Sequence, residues 1–228
     1  MIGIIGSTSI EIQSIKDNMF IERKEKYAGF DFYICKYKEL DVVVTSCSVG
    51  KVNASSCTQI LIDKFNVKKI INTGIAGSLN DNVKLGDIVI SDDITYHDVR
   101  PIQMKNCFPF KQYFNSDEEL KNIALKAYEN SDLNCHNCHT GRMITGDAFI
   151  ADTDLKYRLI NDYSPYCVEM EGAAIAHVSD INNVPFLIVR SISDNADDNA
   201  AIAYKEFEII ASSNSAKLVI NMLNLMEK

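Results

Sequence analysis

Short apolar runs rich in β-branched residues alternate along this 228-residue chain with longer amphipathic runs. That alternation dictates an α/β sheet, because a short strand and an amphipathic helix each bury an apolar face best against the other. Strands are predicted over Ile2–Ile5, Phe30–Tyr37, Asp41–Cys47, Lys69–Thr73, Gly86–Thr95, Thr140–Gly146, Tyr166–Met170 and Pro185–Ile192. Helices are predicted over Ile10–Met19, Val52–Phe65, Asp117–Asn130, Asp152–Asn161, Glu171–Asn182 and Tyr204–Glu227. The last carries Ile209, Ile210, Leu218, Val219, Met222 and Leu223 close to helical spacing. No repeat, low-complexity segment or linker breaks the pattern, so one domain is expected over residues 1–228.

Composition narrows the partners. Hydrophobic residues make up 46% of the chain, enough for one well-buried core. The formal net charge is −8 and no basic block occurs, which argues against nucleic acid. The opening M-I-G-I-I-G-S-T has no basic stretch and no long apolar run of the kind a signal peptide carries. The longest apolar runs, such as V-P-F-L-I-V from Val184, fall far short of the ~20 residues of a membrane helix. A cytoplasmic protein is expected, with its seven cysteines reduced. Cys135 to His139 reads C-H-N-C-H, a pattern shared by haem attachment and by some zinc sites. Haem attachment belongs to exported proteins, and the segment lies in a polar connection. It reads as coincidence, with metal binding as the alternative; no metal or cofactor is assigned.

Six polar segments follow predicted strands: Gly6–Glu11, Ser46–Gly50, Asn72–Gly77, Gly146–Ile150, Val168–Gly172 and Arg190–Asp194. Ligands of α/β sheets bind at this edge, where loops and helix N-termini converge. Glycines 6, 50, 74, 77 and 146 are also what strand-to-helix turns needing positive φ would use. They form neither G-x-G-x-x-G nor a P-loop. Taken singly, Glu11 could be an exposed helix carboxylate, Asp194 a turn cap, Met170 core packing and His177 a satisfied core histidine. His97, in Y-H-D, is a further candidate site residue. Arg190 is harder to place without function, since its apolar strand demands an acidic partner. No G-x-S-x-G elbow or nucleophilic cysteine context appears. Three carboxylates, Glu11, Glu171 and Asp194, with Arg190 nearby suit acid/base cleavage of a glycosidic bond. The third carboxylate could accept hydrogen bonds from vicinal sugar hydroxyls.

The segments V-E-M-E-G-A-A-I-A-H-V and N-V-P-F-L-I-V-R-S-I-S-D-N-A-D resemble the 5'-methylthioadenosine/S-adenosylhomocysteine nucleosidases of the nucleoside phosphorylase superfamily. So do I-G-I-I-G-S, I-I-N-T-G-I-A-G, L-G-D-I-V-I-S-D-D and T-G-D-A-F-I. The likeness runs nearly end to end and is thinnest at 20–45 and 99–139. It implies an α/β three-layer sandwich with a central twisted mixed β-sheet flanked by helices. It implies a purine nucleoside substrate, hydrolysis with water as nucleophile, no cofactor, and a homodimer whose partner helps close the 5' pocket. By resemblance Glu11 is the general base and Asp194 the acid that protonates purine N7. Glu171 binds the ribose hydroxyls, and Arg190 orients it and keeps it ionised. Met170 packs on the sugar, with Glu169 beside it. Phe149 stacks on adenine and the Ile150 backbone reads its edge, while Val49 and Tyr204 line the 5'-thio pocket.

Four departures stand out. The family's M-E-E-E is T-S-I-E here, Ile75 replaces a serine near the sugar, Val99-Arg100-Pro101 follow Y-H-D, and Tyr204 replaces a phenylalanine. They bear on the 5' substituent more than on the chemistry. A phosphate-dependent phosphorylase on the same fold, and a catalytically inactive nucleoside-binding protein, are the alternatives.

Overall fold

The computed structural model describes residues 1–133 and 135–227. Its first half runs β1 (Ile2–Gly6), α1 (Ser9–Asp17), β2 (Phe20–Tyr27), β3 (Phe30–Tyr37), β4 (Leu40–Ser46), α2 (Lys51–Phe65), β5 (Lys69–Asn72) and β6 (Ile75–Ser78). There follow β7 (Ile88–Tyr96), α3 (Pro101–Asn106), β8 (Phe114–Asn115), α4 (Glu118–Glu129), β9 (Cys138–Thr145) and α5 (Thr153–Tyr163). The chain ends with β10 (Cys167–Glu169), α6 (Gly172–Ile181), β11 (Phe186–Asp194) and α7 (Ala200–Met226).

All eight predicted strands and six predicted helices are present, with shifted ends. Pattern reading passed over β2, β6, β8 and α3. In β2 the sequence F-I-E-R-K-E-K-Y is charged and mostly exposed, so it carries no buried face to recognise. In β6 the run I-A-G-S is short and small-residued, and β8 has two residues.

The strands form one mixed sheet in the order β2-β3-β4-β1-β5-β11-β6-β10-β9-β7-β8. Strand β11 joins its two halves. Phe186–Ile188 pair in parallel with β5, Ser191–Asp194 pair in parallel with β6, and Val189–Ser191 pair antiparallel with β7. The second half therefore closes into a ring, β11-β6-β10-β9-β7 and back to β11.

Side chains alternate across each strand, so one strand serves two layers. Ile5, Val43 and Ile70 pack with Leu61 of α2 and Ile175 of α6. Ile4, Val44 and Ile71 face the other way and pack with Ile12 of α1, Leu120 of α4 and Leu218 of α7. Helices thus cover both faces of the sheet, the α/β three-layer arrangement expected. No described helix is long and apolar enough to cross a membrane.

Candidate active site

The six loops singled out in the sequence do converge. They line a cavity of about 360 Å³ together with the first turns of α7, through Ala201, Tyr204 and Lys205. That volume lies within the ~300–1,000 Å³ of small-molecule sites. Glu11, Val49, Ile75, Phe149, Ile150, Glu169, Met170, Glu171, Asp194 and Tyr204 all face it.

Glu11 is held by the start of its own helix. Thr8 caps α1 by accepting from the Glu11 N–H, and Glu11 Oε2 accepts in return from the Thr8 N–H at 3.0 Å. This is a capping box, and T-x-x-E is its sequence signature. The same oxygen accepts from the Ser7 N–H at 2.5 Å and the Ser7 hydroxyl at 2.8 Å. Oε1 has one long partner, the Ile75 N–H at 3.3 Å, and so keeps lone-pair capacity for a ligand. The residue is buried.

Asp194 ends β11, just past a register shift against β6 that falls between Ile192 and Asp194. Its Oδ2 accepts from the Ser193 hydroxyl and its Oδ1 from the Ala196 N–H, each at 2.8 Å. Burial raises its pKa above the ordinary aspartate value, and these two bonds only partly offset that.

Two glycines of N-T-G-I-A-G exist to make room. A Cβ on Gly74 would lie 2.8 Å from Glu11 Oε1, and one on Gly77 would lie 2.7 Å from Asp194 Oδ1. Neither glycine has positive φ, nor do Gly6 and Gly146; of the five read as turn glycines, Gly50 alone does. The turn explanation is corrected at those four positions.

Arg190 also departs from expectation. It is 2% exposed and lies behind the cavity wall rather than in it. Its Nη2 donates to Glu169 Oε2 and to Asn72 Oδ1, both at 2.5 Å, and Nη1 donates to the Val189 carbonyl. The expected partner was Glu171; the observed one is Glu169. Glu169 in turn accepts from the N–H groups of Glu171 and Gly172 at the start of α6, and from the Thr145 hydroxyl. It is the anchor of this corner, and it fixes the backbone from which Glu171 projects.

Among the described residues no cation pairs with Glu171. Its Oε1 accepts from the Gly50 N–H at 2.8 Å. Burial first, then the nearby Glu169 charge, push its carboxyl up to about 8. The Gly50 bond and the more distant Arg190 charge pull the other way and do not cancel this. Arg190 therefore reaches Glu171 only through Glu169 and makes no direct bond to it.

Phe149, 46% exposed, meets the Tyr204 ring edge-on at 5.7 Å between centroids, which closes one wall. His97 does not line the cavity. His177 stacks on Phe114 and pairs through Nδ1 with the Tyr96 hydroxyl, as a core histidine would. In the Cys135–His139 stretch, His139 Nε2 pairs with Asp87. Among the described residues no three His, Cys, Asp or Glu side chains are grouped to hold a metal ion. Sequence reasoning missed Ser7, Thr8, Asn72, Thr145 and Ser193. Only Thr8 carried a local signal, the capping box.

Known proteins resemble the chain over nearly its whole length. A family model described as the phosphorylase superfamily matches residues 1–224. A 5'-methylthioadenosine/S-adenosylhomocysteine nucleosidase from Staphylococcus haemolyticus is 35% identical, over 99% of this chain and 100% of its own. A nucleosidase of the same description from Colwellia psychrerythraea, solved with adenine, superposes with a TM-score of 0.93 at 33% identity, covering 98% of this chain and 94% of that one. Another from Neisseria meningitidis, solved with methylthio-immucillin-A, gives 0.93 at 29% identity, covering 98% of each. In fold and in sequence, this chain belongs to the 5'-methylthioadenosine/S-adenosylhomocysteine nucleosidase family of the phosphorylase superfamily.

Proposed function

We propose that the protein hydrolyses the N-ribosidic bond of 5'-methylthioadenosine and S-adenosylhomocysteine and releases adenine. The observation that carries this reading is the pair Glu11 and Asp194, both buried and both opening into one cavity beside Glu171. Asp194, with its raised pKa, holds a proton and delivers it to purine N7, so the base leaves neutral. The ribosyl group develops oxocarbenium character, which the surrounding carboxylates stabilise. Glu11 takes a proton from the attacking water through the oxygen that has a lone pair to spare. Glu171 accepts from the ribose diol; those donated hydrogen bonds favour its ionised form on binding. Met170 packs on the sugar, Phe149 stacks on adenine and the Ile150 backbone reads its edge. Ile75, Val49 and Tyr204 adjoin the sugar and the 5'-thio substituent.

A phosphorylase would need a cation fork for a dianion. Among the described residues lining the cavity the one cation is Lys205, at the exposed rim, and Arg190 is already engaged by Glu169. Adenine release from 5'-methylthioadenosine should therefore be unchanged when phosphate is removed from the buffer. Release that appears only on adding phosphate overturns the reading.

The protein acts as a homodimer in this proposal. Val49, at the cavity, and Val52, one turn along on α2, are 47% and 77% exposed and offer a partner apolar surface to cover. Light scattering at micromolar concentration should give twice the 25.5 kDa chain mass; the monomer mass would contradict it.

A further inference from the structure

We infer that Lys51 and Asp98 are positioning residues for adenine recognition: with Asp147 they clasp the loop bearing Phe149 and Ile150 to the N-terminal end of α2. The inference rests on the proposed role of that loop as the adenine contact.

Helix α2 starts without a cap of its own, because its N-cap residue, Gly50, has no side chain to offer. Two carboxylates from elsewhere serve instead. Glu171 Oε1 accepts from the Gly50 N–H, and Asp147 Oδ1 accepts from the Lys51 N–H at 2.9 Å. A carboxylate at a helix N-terminus satisfies an orphan donor and faces the positive end of the dipole. The adenine loop and the ribose carboxylate are thus both fastened to the first turn of one helix.

The lysine side chain completes the arrangement. Lys51 Nζ donates to Asp98 Oδ2 at 2.6 Å and lies 3.5 Å from Asp147 Oδ2. Asp98 Oδ2 also accepts from the Asp147 N–H at 3.0 Å. Three separate segments, after β4, after β7 and after β9, therefore meet at one cation. Lys51 also lies 5.5 Å from the Tyr96 ring centroid, against the end of β7. The side chains of Lys51 and Asp98 are only 20% and 31% exposed, so solvent screens this pair less than a free surface ion pair. None of the three lines the cavity, yet Asp147 is one residue from Ala148 and two from Phe149, which do.

A clasp of this kind acts on base binding rather than on bond cleavage. The test measures kcat and KM for 5'-methylthioadenosine, the Kd of free adenine by calorimetry, and the melting temperature, in Lys51→Met, Asp98→Asn and Lys51→Arg. Lys51→Met and Asp98→Asn should raise KM and the adenine Kd about tenfold, the scale of losing one part-buried charge-assisted hydrogen bond. Turnover at saturation should change less than about threefold. Lys51→Arg keeps the charge and should recover most of the loss. The clasp is refuted if both charge-removing variants bind adenine as tightly as the wild type. It is equally refuted if kcat falls at constant KM, or if arginine rescues no better than methionine. A wild-type protein that releases no adenine would instead sink the nucleosidase reading beneath it, and the two failures are told apart by that first measurement.

Discussion

Glu11→Gln and Asp194→Asn should each slow adenine release by about 10²–10⁴-fold, the range of a single proton transfer, while leaving the melting temperature near that of the wild type. Both replacements are isosteric. A glutamine oxygen can still accept from the Ser7 and Thr8 N–H groups that hold Glu11 Oε2. An asparagine oxygen can accept from the Ala196 N–H, and the Ser193 hydroxyl can turn to accept from the new amide. What each variant loses is the proton chemistry. The pH profile separates the two roles further. Because Asp194 must carry a proton, and burial raises its pKa, wild-type activity should fall as pH rises and that proton is lost. Near-normal turnover in either variant would remove the residue from the mechanism.

Arg190→Met should destabilise the fold by about 3–5 kcal/mol, because it strands the Glu169 carboxylate in a site from which water is excluded. In a chain of this size that corresponds to a fall of roughly 10 °C in melting temperature. The pair is fully desolvated, so the figure applies to breaking it and not to its net worth. Replacing both partners, in Arg190→Met with Glu169→Gln, should recover part of the loss, since no unpaired charge then remains. If the single variant melts like the wild type, the guanidinium does not hold Glu169 as described. Activity offers a second readout: Glu169 holds the N–H groups of Glu171 and Gly172, so its release should loosen the ribose carboxylate and raise KM.

The sequence already displayed the loops that build this site, because glycines and isolated polar residues interrupt β-branched runs at one end of each strand. It could not display which carboxylate Arg190 would meet. Glu169 and Glu171 are two residues apart, and only the turn from β10 into α6 decides that Glu169 points inward under the guanidinium while Glu171 points at Gly50. Nor could spacing assign Asn72 or Thr145, whose partners lie 118 and 24 residues away. The missed glycine function has the same cause. Gly74 and Gly77 look like turn glycines locally, and their reason is the carboxylate oxygen that another segment brings against them. Long amphipathic elements were legible because their signal is periodic and local, whereas β6 and β8 are held only by neighbours remote in sequence.

Among the described residues two outer strands of the sheet, β2 and β8, have a neighbour on one side only. Each is a place where a foreign chain could continue the hydrogen-bond ladder and seed an aggregate. The two-residue β8 offers almost no template. The longer β2 is guarded by charge: Glu22, Arg23, Lys24 and Lys26 are all exposed there, so an incoming strand must desolvate or oppose them. The segment with the least apparent pattern is the one that stops the sheet from growing.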